Sequence, residues 1–435
     1  MRILRSVAVL IGVAAVLSVL AVGCGSDDNG GGASEKTTAK TSKCGLGNGK
    51  KATASPTIRI GGIFTKQPGT DFSEIGATAK AYFDCVNDNG GINGHPVKYY
   101  AETEQTDPGQ IAGIAKKLIE NDKVLGIVGN ISLIECTVNH KYWESKGIYT
   151  IGAGIAPECW STPNSAPVNM GPRYSVDGGE QFLIRQKVKK LVLIQSNVPG
   201  TGYIEGGFLA IAKDAGIPSV SLKENVPIQD ANSAALKAVQ AAGKDGGVIL
   251  NFTPPEALKI LQAAQQQGLQ KRVKWSCSTP CNTDFVAKAL GPEWENQLGV
   301  NAELQLTSLD APDMNLYRNV LKKYAPKLPP GSFTQMGFTQ ANIATHAMLG
   351  IKGDYTVKSV NTALKNVKNF KTDILCRPYY YGDAPLHIPN HNDLTTTPKN
   401  GVMTQKEGCF DISNVDPDIK KVEDIEKKDP SLVGK

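Results

Sequence analysis

Short apolar runs alternate with helix-like segments from residue 58 onward, and this alternation constrains the fold more than any other feature. The apolar runs predict buried strands over residues 58–64, 96–101, 124–128, 148–153, 191–195, 248–251 and 273–275. Each run is followed or preceded by about ten to fifteen residues of helical periodicity. Such alternation is typical of parallel sheets covered by helices on both faces. The sequence therefore predicts an α/β fold of doubly wound parallel sheets.

Helix-start signals support this interpretation. Thr253, two prolines and Glu256 have the spacing of a capping box with proline at the first helical position, and Gly268 marks the helix end. Residues 73–87 also have helical spacing. Past Asp310, the pattern predicts helices over residues 313–324, 334–349 and 357–369, and then extended pieces around 376–381.

A change in composition divides the body into two lobes. Residues 160–179 are rich in Pro, Ser, Asn and Gly without a clear period, and a fresh strand and helix series begins near Lys190. A charged C-terminal segment is expected to be loose. The predicted organisation is lobe 1 at residues 58–172 and 305–370, lobe 2 at 173–304 and 371–415, and a tail at 416–435.

The N-terminus has the layout of an export signal. Arg2 and Arg5 precede an apolar run over residues 6–22 that ends at Gly23 and Cys24. Residues 20–24 resemble a bacterial lipobox, which implies a signal peptide of residues 1–23 and lipidation of Cys24. An uncleaved membrane anchor is the alternative. Both interpretations place the body on the extracytoplasmic face of the cell membrane.

A flexible tether is predicted over residues 24–57. From Gly25 to Thr57, Leu46 is the only large aliphatic side chain, so the segment cannot form a core. As a random coil it would span roughly 30 Å.

The remaining cysteines form an even set of eight, which an exported protein can oxidise. Eight cysteines allow 105 pairings, so counting alone cannot choose among them. The order of the predicted elements favours the pairs Cys44 with Cys85, Cys136 with Cys159, Cys277 with Cys281, and Cys376 with Cys409. A metal site at Cys277 and Cys281 is the competing interpretation, but it lacks a second Cys or His pair at ligand spacing nearby.

Charge and motifs argue against two other classes of protein. The net charge is +6, and the basic residues are scattered among acidic ones, so a nucleic-acid partner is not predicted. The sequence has no Gly-x-Ser-x-Gly, His-Glu-x-x-His or phosphate-loop motif, and its five histidines are dispersed. We therefore predict neither an enzyme nor a bound cofactor or metal.

Three motifs in order carry a family resemblance. They are Asn-Asp-Asn-Gly-Gly-Ile-Asn-Gly at 87–94, Thr-Asp-Pro at 106–108, and Leu-Gly-Ile-Val-Gly at 125–129. From about residue 58 to 349, the chain resembles the leucine-binding type (type I) of periplasmic substrate-binding proteins. The resemblance implies two lobes joined by three crossing strands, which close over a solute and deliver it to the membrane permease of an ABC transporter. A monomer is expected. A lipoprotein that signals to a separate membrane receptor is the alternative role.

The resemblance also permits a test of the solute. Amino-acid-binding members hold the substrate carboxylate with hydroxyls and amides of the loops that correspond to 129–136 and 152–156. The matching positions are Leu133 and Ala156, which have no hydroxyl, and the acid expected near Cys277 is missing. Because an unpaired buried charge costs several kcal/mol, a simple branched-chain amino acid is not expected. A less polar or differently charged solute, such as an aromatic or carboxylic metabolite, is favoured.

Nine residues are candidates for ligand binding. Tyr203 matches the aromatic residue that packs on the substrate in the family, and Phe72 either covers the ligand or packs on its own lobe. A loop register shifted by one or two residues would instead make Ser132 or Thr137 the anchor of a branched-chain amino acid. The full candidate set is Phe72, Ser132, Leu133, Ile134, Gly154, Ile155, Ala156, Tyr203 and Thr253.

Overall fold

The computed structural model describes residues 43–198, 200–382, 384–412 and 416–434 of the 435-residue chain. The predicted signal peptide, the lipidation site Cys24 and the tether up to residue 42 lie outside these residues.

The first sheet is parallel apart from one short hairpin. Its strands run in the order β3-β1-β4-β5, and β2 pairs antiparallel with β1. The bounds are β1 Ile58–Gln67, β2 Thr70–Asp71, β3 Val97–Glu104, β4 Ile127–Asn130 and β5 Thr150–Gly152. The helices of this lobe are α1 Ser73–Asp88, α2 Pro108–Lys116, α3 Glu135–Ser145, α9 Pro312–Tyr324, α10 Ser332–Leu349 and α11 Val357–Lys365.

The second sheet has seven strands in the order β7-β6-β8-β9-β10-β11-β12. The strands from β6 to β10 pair in parallel, and β11 and β12 extend the sheet as an antiparallel hairpin. The strand bounds are β6 Leu191–Ser196, β7 Ser219–Glu224, β8 Gly247–Asn251, β9 Lys274–Cys277, β10 Leu298–Ala302, β11 Asn392–Lys399 and β12 Val402–Asp411. The remaining helices are α4 Gly171–Arg185, α5 Gly202–Asp214, α6 Ala231–Ala242, α7 Pro254–Gln266, α8 Asp284–Ala289 and α12 Pro417–Lys428.

The predicted α/β fold with two sheets dominated by parallel strands is confirmed. Every apolar run that predicted a strand overlaps an observed strand, because central strands of parallel sheets are buried on both faces. The chain passes between the two sheets three times: after β5, after β10 and after α11. Around residues 376–381, where extended pieces are predicted, the chain is irregular, and an isolated bridge joins Tyr379 to Phe370.

Both ends of the described chain are packed more closely than the sequence predicts. Cys44 is buried and bonded to Cys85, and the Ala52 N–H donates to the Asn87 carbonyl at 2.7 Å. The predicted tether is therefore wrong for residues 43–57. The predicted loose tail is also wrong, because α12 buries Ile419 and Val422. These local apolar contacts are too few to be recognised in a charged segment.

The C-terminal part of the chain contacts both lobes. Tyr379 and Tyr381 belong to the hydrophobic core of the first lobe, so that core extends beyond the predicted boundary at residue 370. Asp416, which caps the N-terminus of α12, is fully buried against Arg173 of α4, with a carboxylate to guanidinium distance of 2.7 Å. The Asn369 N–H donates to the Leu432 carbonyl at 2.8 Å.

All four predicted disulfides are confirmed: Cys44–Cys85, Cys136–Cys159, Cys277–Cys281 and Cys376–Cys409. The last of them ties the third crossing between the lobes to β12. Within the described part of the chain, no group of three or more His, Cys, Asp or Glu is arranged to hold a metal ion.

Candidate functional site

A cavity lies between the two lobes. The loops that follow β1, β4 and β5 form one wall, and the loops that follow β6, β8 and β9 form the opposite wall. The carboxyl ends of parallel strands are where open α/β sheets bind their ligands. The fold therefore places the cavity where both sheets present such ends.

The wall of the cavity is mainly apolar and aromatic. Phe72 of the first lobe packs edge-to-face on Phe333, with ring centroids 5.4 Å apart. Apolar walls with a few polar groups are typical of sites for small molecules. Large side chains on the wall include Phe72, Leu133, Ile155, Tyr203, Phe333 and Met336.

The lobes touch each other across the cavity. The Tyr203 hydroxyl donates a hydrogen bond to the Ile155 carbonyl of the opposite lobe. The Thr253 hydroxyl donates to the Gly69 carbonyl, also in the opposite lobe, at 3.1 Å. The cleft is therefore closed in this structure.

The capping box predicted at Thr253 is wrong. Its hydroxyl reaches across the cleft instead of capping α7, although proline does begin that helix. The Glu256 carboxylate accepts from the Ile228 N–H at 2.7 Å and pairs with Lys259 at 2.8 Å. Thr253 and Glu256 therefore contact other segments of the chain instead of forming the predicted capping box.

Five of the nine candidate residues line the cavity: Phe72, Leu133, Ile155, Tyr203 and Thr253. The other four are not part of its wall. Ile134 precedes α3, Gly154 donates its N–H to the Asn169 carbonyl at 2.8 Å, and Ala156 packs in a core with Trp160. The Ser132 hydroxyl donates to the Glu104 carboxylate at 2.8 Å and accepts the Glu135 N–H at 3.0 Å.

The shifted register does not supply an anchor for a carboxylate. Ser132 is engaged as described, and Thr137 is an exposed residue of α3 that donates to Glu158 at 2.9 Å. The backbone amides of the wall are also engaged: the Leu133 N–H donates to the Thr65 hydroxyl at 2.9 Å, and the Ile155 N–H to the Ala153 carbonyl at 3.0 Å. Among the described residues, no Lys or Arg lines the cavity.

Glu303 is the one carboxylate on the cavity wall within the described residues. It follows the carboxyl end of β10 and is fully buried. Burial raises the pKa of Glu303 to about 7, although hydrogen bonds from Met170, Thr279 and Asn169 act in the opposite direction. This residue is not among the candidates predicted from the sequence. Its signal was a single acid directly after an apolar strand, at the sheet edge where ligands bind.

A second opening adjoins the cavity and is called its mouth here; the two share Gly69, Thr70, Thr253, Pro280 and Phe333. Its wall includes Asp71 and Glu74 of the first lobe. Burial and the nearby Asp71 charge raise the pKa of Glu74. The mouth is therefore lined by acidic side chains.

Known proteins share the fold described above. The sequence model of the family described as periplasmic binding protein matches residues 57–396. A branched-chain amino acid ABC transporter protein from Thermus thermophilus, solved with bound valine, has a TM-score of 0.72 at 17% identity, over 85% of this chain and 99% of that one. A fatty acid ABC transporter substrate-binding protein from Thermomonospora curvata has a TM-score of 0.70 at 18% identity, over 85% of this chain and 95% of that one.

Two further relatives differ in what they bind. A solute-binding protein from R. palustris, solved in complex with benzoate, has a TM-score of 0.66 at 16% identity, over 81% of this chain and 96% of that one. An amino acid binding protein from Pseudomonas aeruginosa is 24% identical over 237 residues, which are 52% of this chain and 62% of that protein. No helix within the described residues is long and apolar enough to cross a membrane.

Proposed function

The chain belongs to the periplasmic binding protein family, and from this premise we propose that it captures one small, largely apolar solute and delivers it to an ABC permease. The type I periplasmic binding fold, which the chain adopts, closes by moving two lobes together. A solute that touches both lobes stabilises the closed form by its differential affinity for that form. Closure then reports to the permease that the site is occupied.

The observation that carries this proposal is the cavity enclosed by both lobes. Phe72, Leu133 and Ile155 come from one lobe, and Tyr203 and Thr253 come from the other. A solute in this cavity would bury its surface against both walls at once.

We propose that the solute is not a simple zwitterionic amino acid. A carboxylate on this wall would meet no basic side chain of the described residues, and the Leu133 and Ile155 amides already have acceptors. Burying such a charge without a partner costs several kcal/mol. The valine, benzoate and fatty acid bound by structural relatives serve as comparison compounds.

We further propose that the protein is exported, lipidated at Cys24 and held outside the cytoplasm. The lipobox-like residues 20–24 and the polar residues that follow them support this address. Metabolic labelling with a radioactive fatty acid would test it. Label on the wild type and none on Cys24→Ser is expected, whereas equal label on both would refute lipidation at this site.

Binding itself is tested by thermal unfolding of the mature chain carrying Cys24→Ser, with a panel of apolar small molecules. A true ligand at 100 times its Kd adds about 2.7 kcal/mol to the free energy of unfolding. Leu133→Trp fills the cavity and should abolish this stabilisation. Leu209→Trp is the matched control, because Leu209 is 45% exposed on α5 and lies outside the cavity.

Two outcomes would overturn the proposal. One is a panel in which every stabilising compound stabilises Leu133→Trp as strongly as the control. The other is recovery of the compound in a chemically altered form after incubation with the protein.

A further inference from the structure

The polar edge of the cavity is organised around one carboxylate. The Glu303 Oε2 accepts from the Asn169 side-chain amide at 2.7 Å and from the Met170 N–H at 2.5 Å. The Glu303 Oε1 accepts from the Thr279 hydroxyl at 3.1 Å. Asn169 and Met170 lie on the first crossing between the lobes, and Thr279 follows β9. Glu303 thus joins the crossing to the second lobe.

All three neighbours donate to this carboxylate. The Thr279 hydroxyl oxygen itself accepts from Ser175 at 2.7 Å and from Asn301 at 3.3 Å, so its own proton points to Glu303. The backbone and amide N–H groups can only donate. Hydrogen bonds of this kind favour the charged form of a carboxyl group.

The three hydrogen bonds leave one lone-pair site of the Glu303 carboxylate without an assigned donor. A carboxylate has about four lone-pair sites, and the three neighbours occupy three of them. The neighbouring polar groups are occupied with each other: Asn169 also accepts the Gly171 N–H at 3.0 Å, and Ser175 also accepts the Thr279 N–H. A donor on the solute would therefore meet Glu303.

The surroundings provide no positive charge to compete with the solute. Among the described residues, neither the cavity nor its mouth is lined by Lys or Arg. Arg173, on the nearby helix α4, is held by Asp416 and Asp418. In the mouth, Lys66 pairs with Asp71 from outside the lining, and Glu74 adds a further carboxylate. The walls of the cavity and of its mouth thus carry carboxylates and no basic side chain among the described residues, which favours a cation over an anion.

We infer that Glu303 determines the specificity of the cavity, and that the solute is a predominantly apolar amine whose ammonium group binds the Glu303 carboxylate. This inference rests on the proposed function. The apolar walls bury the body of the solute, and Glu303 pairs with its one charge. An apolar acid of the same size would place a carboxylate beside Glu303 without a counterion.

A set of compounds that share one skeleton tests this inference: 2-phenylethylamine, 2-phenylethanol, phenylacetamide and phenylacetate. Their affinities for the mature chain carrying Cys24→Ser are measured by titration calorimetry. We expect the amine to bind at least about tenfold more tightly than the alcohol and amide, and phenylacetate to bind weakest. This ranking is obtained with the wild-type cavity and needs no further variant.

Two variants then assign the ranking to one residue. Glu303→Gln keeps the shape and removes the charge, so the amine should lose about thirtyfold or more in affinity, while the alcohol changes by less than about threefold. Glu144→Gln is the matched control, because Glu144 is an exposed residue of α3 outside the cavity and its mouth, and it should leave the ratio of amine to alcohol within about threefold. A Glu303→Gln variant that keeps the wild-type ratio would overturn the inference.

The outcomes separate the inference from the function on which it rests. If phenylacetate or phenylethanol binds best and Leu133→Trp abolishes that binding, the cavity is the site and the inference about the amine is wrong. If none of these compounds, and none of the wider panel, binds in a way that Leu133→Trp prevents, the proposed function fails, and the inference fails with it.

Discussion

Closure of the cleft depends in part on two hydrogen bonds between the lobes, and their removal should weaken solute binding by a predictable factor. The Tyr203 hydroxyl donates to the Ile155 carbonyl, and the Thr253 hydroxyl donates to the Gly69 carbonyl at 3.1 Å. Both bonds exist only while the lobes touch. Tyr203→Phe and Thr253→Val remove the donors with little change in side-chain volume.

The size of the effect follows from the net value of a hydrogen bond, about 1 kcal/mol, which is a factor of about five in the closing equilibrium. The two bonds share no partner, so their effects should add to about 2 kcal/mol, or about thirtyfold. The observed affinity falls with the fraction of closed protein when that fraction is small. Tyr203→Phe should weaken binding more than Thr253→Val, because Ile155 is only 7% exposed and its carbonyl would lose its hydrogen-bond donor.

Calorimetric titration gives the affinity of each variant for a solute found in the panel, and small-angle scattering gives the dimensions without solute. The double variant should bind about thirtyfold more weakly, and, because this factor applies when the closed form is the minor form, both proteins should have the dimensions of the open form in the absence of solute. Thr137→Val is the control, since Thr137 is exposed and bonds within its own lobe. An affinity within twofold of the wild type for the double variant would refute this account of closure.

Three further predictions concern stability and are checked by urea unfolding. Gly337→Ala should lower the free energy of unfolding by about 1–3 kcal/mol, because the new Cβ would lie 2.1 Å from a carbonyl oxygen of α1. Gly113→Ala should raise it by about 0.5–1 kcal/mol, because open space surrounds that position. Equal effects of the two substitutions would contradict this prediction. Asp416→Ala should cost about 3–5 kcal/mol, because it leaves the Arg173 charge without its buried partner, and a loss below 1 kcal/mol would show that α12 is not held this way. Burial raises the pKa of Glu303 from 4.5 in the unfolded chain to about 7 in the folded protein. Between these values the folded state holds a proton that the unfolded state has released, so the contribution of Glu303 to the free energy of unfolding is lost as pH rises through 7. Glu303→Gln should therefore gain stability relative to the wild type between pH 5 and pH 8, and a constant difference would refute the shift.

The sequence by itself determined the architecture and the covalent framework. Strand positions such as β6 and β8 could be predicted, because burial on both faces gives a continuous apolar run that needs no knowledge of distant residues. The order of these elements along the chain was also enough to favour the four disulfide pairs that the structure contains.

Only the tertiary structure decided which side chains face the cavity. Leu133 lines it while its neighbour Ser132 bonds to Glu104, and Thr253 leaves its predicted cap to contact the opposite lobe. Glu303 became part of the site because the end of β10 meets the first crossing between the lobes. These outcomes depend on how two lobes are set against each other, which is fixed by contacts between residues far apart in the chain. A local pattern records the period of a helix or a strand, but it does not record the partner that a side chain finds across a cleft.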